Sequence, residues 1–138
     1  GHLNHMVAAA EALAAAGVPV RVHAVTDGRD VAPTSAPLYL AALAARLPGS
    51  ARLATVMGRF YAMDRDRRWE RVRLAYDALV HAQGIGAPDA ATALALAAAR
   101  GETDEFVTPT VLDGHDGLRP EDGLLCLNFR ADRAREIL

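Results

Sequence analysis

The chain has 138 residues, 51% of them hydrophobic by type, enough for a single domain spanning 1–138 that buries roughly two-thirds of its unfolded surface. A formal net charge of −2 favours neither a nucleic acid nor an acidic membrane as partner, so any functional charge must be local. All 15 basic side chains are arginine, which excludes a Schiff-base lysine and the G-x-x-x-x-G-K-[ST] phosphate loop.

In chain order, Met6, Ala9, Ala10 and Leu13 keep helical spacing from Asn4 to Ala16, and Gly17 with Pro19 stops that helix. Val20 to Val25 reads as a strand. Thr34, Ser35 and Pro37 open a second helix, which closes at Leu47-Pro48-Gly49. Leu53 to Met57 is a second strand, and Asp64 begins a longer helix whose apolar face is Trp69, Val72, Tyr76 and Leu79. After a Gly84-Ile-Gly86 turn, Pro88-Asp89 starts an alanine-rich helix that ends at Arg100-Gly101.

Phe106 to Leu112 is predicted to be extended, with Pro109 arguing for a sheet edge. Gly123 to Phe129 is a continuous apolar run predicted to be a strand buried on both faces, which makes Cys126 a small buried hydrophobe and not a reactive thiol. Strands alternating with long helices predict an α/β fold, a three-layer αβα sandwich around a mainly parallel sheet. No apolar run reaches the ~18 residues of a membrane span and no basic signal flank opens the chain, so a cytoplasmic location is expected. The start on Gly1-His2 and the helical end at Leu138 suggest a piece of a longer protein.

Three polar segments each follow a predicted strand: Thr26-Asp27-Gly28-Arg29-Asp30, Gly58 to Asp66, and Asn128 to Arg133. In an open parallel sheet the strands' C-terminal ends share one edge, and ligands bind in the crevice outside it. Arg29, Arg59, Arg65, Arg130 and Arg133 should therefore converge, and their planar forks suit the oxygens of a small carboxylate or phosphate. Helix N-termini near Asp64 and Arg130 would add N–H donors. The alternative is that these arginines pair with Asp27, Asp30, Asp64, Asp66 and Asp132 in surface networks. Asp30 is the candidate proton acceptor, while Asp27 is expected to cap the turn. His2 and His5 share a helical face, but no third metal ligand accompanies them.

The segments at 23–30 (His-Ala-Val-Thr-Asp-Gly-Arg-Asp), 58–69 (Gly-Arg-Phe-Tyr-Ala-Met-Asp-Arg-Asp-Arg-Arg-Trp) and 128–135 (Asn-Phe-Arg-Ala-Asp-Arg-Ala-Arg) together resemble signature segments of cofactor-independent phosphoglycerate mutases. Leu3-Asn4-His5 and Tyr76-Asp77-Ala78-Leu79 fit the same resemblance, which covers essentially the whole chain. It implies the inserted substrate-binding domain of such an enzyme, whose alkaline-phosphatase-like domain, with a nucleophilic serine and two manganese ions, would lie on the same polypeptide. By the resemblance, Arg29, Arg59, Arg65, Arg130 and Arg133 bind the carboxylate and phosphate of 3-phosphoglycerate or 2-phosphoglycerate, Asp30 handles the hydroxyl proton, and the activity serves glycolysis.

The family's Gly-Gly-Val-His-Ser-His motif is matched only by Gly1-His2, so its first histidine and the preceding strand are missing, as is a substrate-contacting lysine of the phosphatase domain. The chain alone is accordingly expected to be inactive. A competing reading is a stand-alone regulatory module that binds anions or acidic peptides.

Overall fold

A computed structural model describes residues 2–138. Gly1, used in the motif comparison above, lies outside the described residues. Helix α1 (His2–Ala15) is stopped by Gly17, whose φ of +77° is a left-handed conformation open to glycine at no steric cost. Strand β1 (Val20–Thr26), α2 (Ala36–Arg46), β2 (Ala51–Gly58) and α5 (Ala90–Ala99) fall close to the predicted limits. Asp89 caps α5 by accepting the Thr92 N–H at 2.7 Å.

The sheet has the order β1-β2-β4-β3, where β3 is Ile85–Ala87 and β4 is Thr110–Leu112. β1 runs parallel to β2 and β3 parallel to β4, while β2 and β4 are antiparallel. The fold is α/β with a mainly parallel sheet flanked by helices. On one face α1, α2 and α5 pack Val7, Leu40, Leu43, Ala93, Leu94 and Ala97 against Val56 and Leu112. On the other, Ala62 of the short α3 (Arg59–Ala62) and Ala75 and Ala78 of α4 (Trp69–His81) pack on Met57. The alternation of Val56 and Met57 between the two faces follows from the period of two along a strand.

Four sequence expectations are corrected. Gly123–Phe129 forms no ladder: Leu125 is 61% and Phe129 79% exposed, and Cys126 is exposed, not buried. Apolarity fixes what a strand would bury, but a strand also needs a partner edge, and this run meets none. Pro109 does not mark a sheet edge, because it precedes β4, which lies inside the sheet between β2 and β3; its carbonyl accepts the Ile85 N–H at 3.3 Å.

The Gly84-Ile-Gly86 turn is instead the start of β3, too short for its period to register. Helix α4 begins at Trp69 and not at Asp64, and it buries Val72, Ala75 and Ala78, leaving Trp69 56% and Tyr76 40% exposed. Small alanines let the helix approach the sheet closely, which rotates the aromatic rings to its rim.

Candidate anion site at the sheet edge

The parallel register pairs Thr26 with Gly58, so the residues that follow each strand leave the sheet side by side. Arg59, only 8% exposed, donates from Nη1 to Asp27 Oδ1 and, at 2.9 Å, to Asp30 Oδ2. Burial works against its charge, but these two carboxylates more than offset that and raise its affinity for the proton. Asp27 also accepts the backbone N–H groups of Arg29 and Asp30, both at 3.3 Å, and so caps the turn as expected. Its burial favours the neutral acid, yet Arg59 and the two N–H donors hold it below the usual carboxylate range. Gly28 takes φ +65° in this turn.

The second half of the rim comes from the chain's end. Asp132 Oδ2 accepts from Arg65 Nη1 at 3.0 Å and from Arg130 Nη2 at 2.9 Å, which lowers the Asp132 pKa to about 2. Arg133 Nη1 reaches across to the Met63 carbonyl at 2.9 Å, while its Nε is buried with no acceptor. Burial lowers the pKa of Arg133, and the neighbouring charges of Arg65, Arg59 and Arg130 lower it further, with Asp132 only partly opposing them. Four of the five predicted guanidiniums thus share one field. Arg29 stands beside them on the 27–30 turn, 63% exposed, with Nη1 at 4.0 Å from Glu105.

Carboxylates are interposed among these arginines, with Asp27 and Asp30 on Arg59 and Asp132 between Arg65 and Arg130. The N-terminal donors expected at Asp64 are absent, because residues 64–68 form a turn. There the buried Asp64 carboxylate accepts the Asp66 N–H at 3.0 Å, the Arg68 N–H at 2.9 Å and Arg68 Nη1 at 3.0 Å. Burial disfavours its charge, but the Arg68 and Asp66 donors win and bring its pKa to about 2. Asp64 is thus the hub of the turn that carries Arg65, a role no sequence pattern announced.

A cavity of about 390 Å³ adjoins the Arg65–Asp132 pair, lined also by Arg67, Trp69, Arg135 and Glu136. His2 and His5 set their rings edge-on to Phe129, with centroids 5.9 and 6.0 Å away, which places the start of α1 beside the Asn128–Arg130 segment. Among the described residues, no group of three or more His, Cys, Asp or Glu is arranged to hold a metal ion.

The sequence profile described as BPG-independent PGAM N-terminus (iPGM_N) matches residues 1–138. The 2,3-bisphosphoglycerate-independent phosphoglycerate mutase of Dinoroseobacter shibae is 62% identical over all 138 residues, and that of Paracoccus denitrificans 61%; this chain spans 27% of each. A crystal structure of Leishmania mexicana phosphoglycerate mutase at low cobalt concentration superposes with a TM-score of 0.85 at 28% identity, over 97% of this chain and 27% of that one. On these grounds the chain belongs to the N-terminal family of the 2,3-bisphosphoglycerate-independent phosphoglycerate mutases.

Proposed function

We propose that this chain is the substrate-gripping part of an isomerase that interconverts 3-phosphoglycerate and 2-phosphoglycerate, and that the rest of the same polypeptide supplies the phosphoryl-carrying serine. The observation that carries this reading is the gathering of arginines at the rim, Arg29 and Arg59 on Asp27, Asp30 and Glu105, and Arg65, Arg130 and Arg133 around Asp132 and the Met63 carbonyl. Such a cluster lowers its own repulsion by taking up a small polyanion, and each guanidinium can bind a carboxylate or phosphate edge-on through two N–H groups. Holding glycerate by several charged contacts keeps it at high effective concentration near the phosphoryl group while it is transiently unphosphorylated.

Asp30 is the proton carrier. It is tied to Arg59 through Oδ2 but remains 77% exposed, so its carboxylate can meet a substrate hydroxyl. Arg59 orients it, and it accepts the hydroxyl proton as that oxygen attacks phosphorus and the serine oxygen leaves. By the resemblance, two manganese ions would sit in the remainder of the polypeptide, and no step here runs through them. Cytoplasmic glycolytic chemistry suits this substrate, and no described helix is long and apolar enough to cross a membrane.

Calorimetric titration of the chain with 3-phosphoglycerate, and of an R59A/R130A double variant, tests the proposal. Binding that disappears in the double variant is expected. Failure of the wild-type chain to bind at millimolar ligand, or tighter binding of an acidic peptide, would favour the regulatory-module reading instead.

A further inference from the structure

The 3-10 turn Asp104–Phe106 supplies no guanidinium to the arginine rim, though Glu105 lies 4.0 Å from Arg29 Nη1, and it touches both segments that build the β1–β2 side of it. Asp104 is 6% exposed. Its carbonyl accepts the Thr26 hydroxyl at 2.6 Å, its N–H donates to Pro33 O at 2.8 Å, and its Oδ2 accepts the Ala36 N–H at 2.7 Å. Thr26 ends β1 and Ala36 begins α2, so both ends of the loop bearing Asp27, Arg29 and Asp30 are tied to a single distant residue.

The carboxylate does what the local sequence fails to do. Ser35 occupies the N-cap position of α2, but its hydroxyl donates to Ala32 O at 2.7 Å and caps nothing. Asp104, 68 residues away, supplies the acceptor and the negative charge that a helix start favours.

The same turn is pressed against two glycines. A Cβ on Gly28 would stand 2.7 Å from Glu105 N and 2.8 Å from the Asp104 Cβ, and one on Gly58 would collide with the Glu105 carbonyl. Gly58 also donates its N–H to Val107 O at 2.8 Å. The turn therefore sits as a wedge between the residue before Arg29 and the residue before Arg59.

We propose that Asp104 is a positioning residue of the anion site, setting the spacing between the Arg29–Asp30 turn and Arg59 through its ties to Thr26, Pro33 and Ala36. It acts on the rim described under the proposed function, and so rests on that reading for what the rim binds. It touches neither the rim's guanidiniums nor the ligand; its ties to Thr26 and Pro33 are main-chain and survive substitution, so loss of the carboxylate should release the Ala36 end of the 27–35 loop and weaken binding without removing a contact to the anion.

The test pairs amide hydrogen exchange with titration of 3-phosphoglycerate, using the 138-residue chain and its D104A and D104N variants. D104A should speed exchange within 27–35 but not in α5, and weaken binding about tenfold; D104N, whose amide oxygen can still accept the Ala36 N–H, should restore binding to within about twofold. Should D104A fail to fold, T26V removes one tether at conserved volume and should show the same local effect in smaller measure. Unchanged exchange at 27–35, or a uniform rise over the whole chain, would overturn the positioning role. If the wild-type chain binds no phosphoglycerate, the substrate reading falls, and exchange still decides the role of Asp104.

Discussion

Arg133 donates from Nη1 to the Met63 carbonyl at 2.9 Å and leaves its Nε buried without an acceptor. A group held this way costs the empty fold stability, because its desolvation and its repulsion from Arg65, Arg59 and Arg130 are only partly offset by Asp132 and the Met63 carbonyl. R133M, which keeps an apolar stem of similar reach, should stabilise the ligand-free chain by about 0.5–1 kcal/mol and weaken 3-phosphoglycerate binding by tenfold or more, on the order of 1.4 kcal/mol. Chemical denaturation and calorimetry on the same variant read both effects. A loss of stability together with a loss of binding would show Arg133 to be structural.

Asp27 and Asp30 hold the same Arg59 nitrogen but differ in exposure, 33% against 77%. D27A strips the nearly buried Arg59 of its closer partner and frees the two turn N–H groups, so it should cost roughly 2–4 kcal/mol of folding stability. D30A removes a largely solvated ion pair and should cost less than about 1 kcal/mol. In the full-length enzyme D30N should nevertheless abolish turnover with little change in KM, since it removes the proposed proton acceptor but keeps the shape. Urea midpoints of the chain and steady-state kinetics of the whole enzyme separate the two roles.

The rim was legible because it depends on topology that the sequence declares: two parallel strands with polar segments at the same end must bring Asp27, Asp30 and Arg59 together. The wedge at Asp104 was not, because its partners Thr26, Pro33 and Ala36 lie about 70 residues away and two of them meet it only through the main chain. Gly123–Phe129 misled in the opposite direction. A strand is a property of two segments, and an apolar run shows only one of them. Helix α4 was found and Val72 is buried as expected, but the rest of its buried face was misassigned because alanines at 75 and 78 weigh less in a periodicity than Trp69 and Tyr76, although they fit the sheet better.

Acid should unfold the chain in two separate windows. His23 lies 3.0 Å from Thr55 Oγ1 and packs its ring on His115, and burial, then His115, lowers its pKa from 6.5 to about 4. The unfolded chain takes up that proton first, so stability is complete above pH 6.5 and falls as the pH drops toward 4, by about 2 kcal/mol at pH 5 and about 3 kcal/mol at pH 4. Asp64 adds a second loss between 3.8 and about 2, as the carboxylate that clamps the 64–68 turn is protonated, worth about 2 kcal/mol. Urea midpoints from pH 7 to pH 3 should show the first slope in the wild type and lose it in H23Q, while D64N should flatten only the part below about pH 4.

Trp69 offers an optical test of the α4 correction, because the sequence contains a single tryptophan. At 56% exposure its indole faces the cavity shared with Arg65, Arg67 and Arg135, and not the core formed by Met57, Ala62, Ala75 and Ala78. W69A should therefore cost less than about 1.5 kcal/mol, where truncation of a buried tryptophan costs about 3–5 kcal/mol. Three guanidiniums around the same cavity concentrate anions against Asp132 and Glu136, so iodide should quench the emission more efficiently than caesium, and the excess should shrink as ionic strength rises. R67A/R135A should reduce the iodide preference without shifting the emission maximum. Emission that is blue-shifted and insensitive to both ions would return Trp69 to the core and overturn the assigned register of α4.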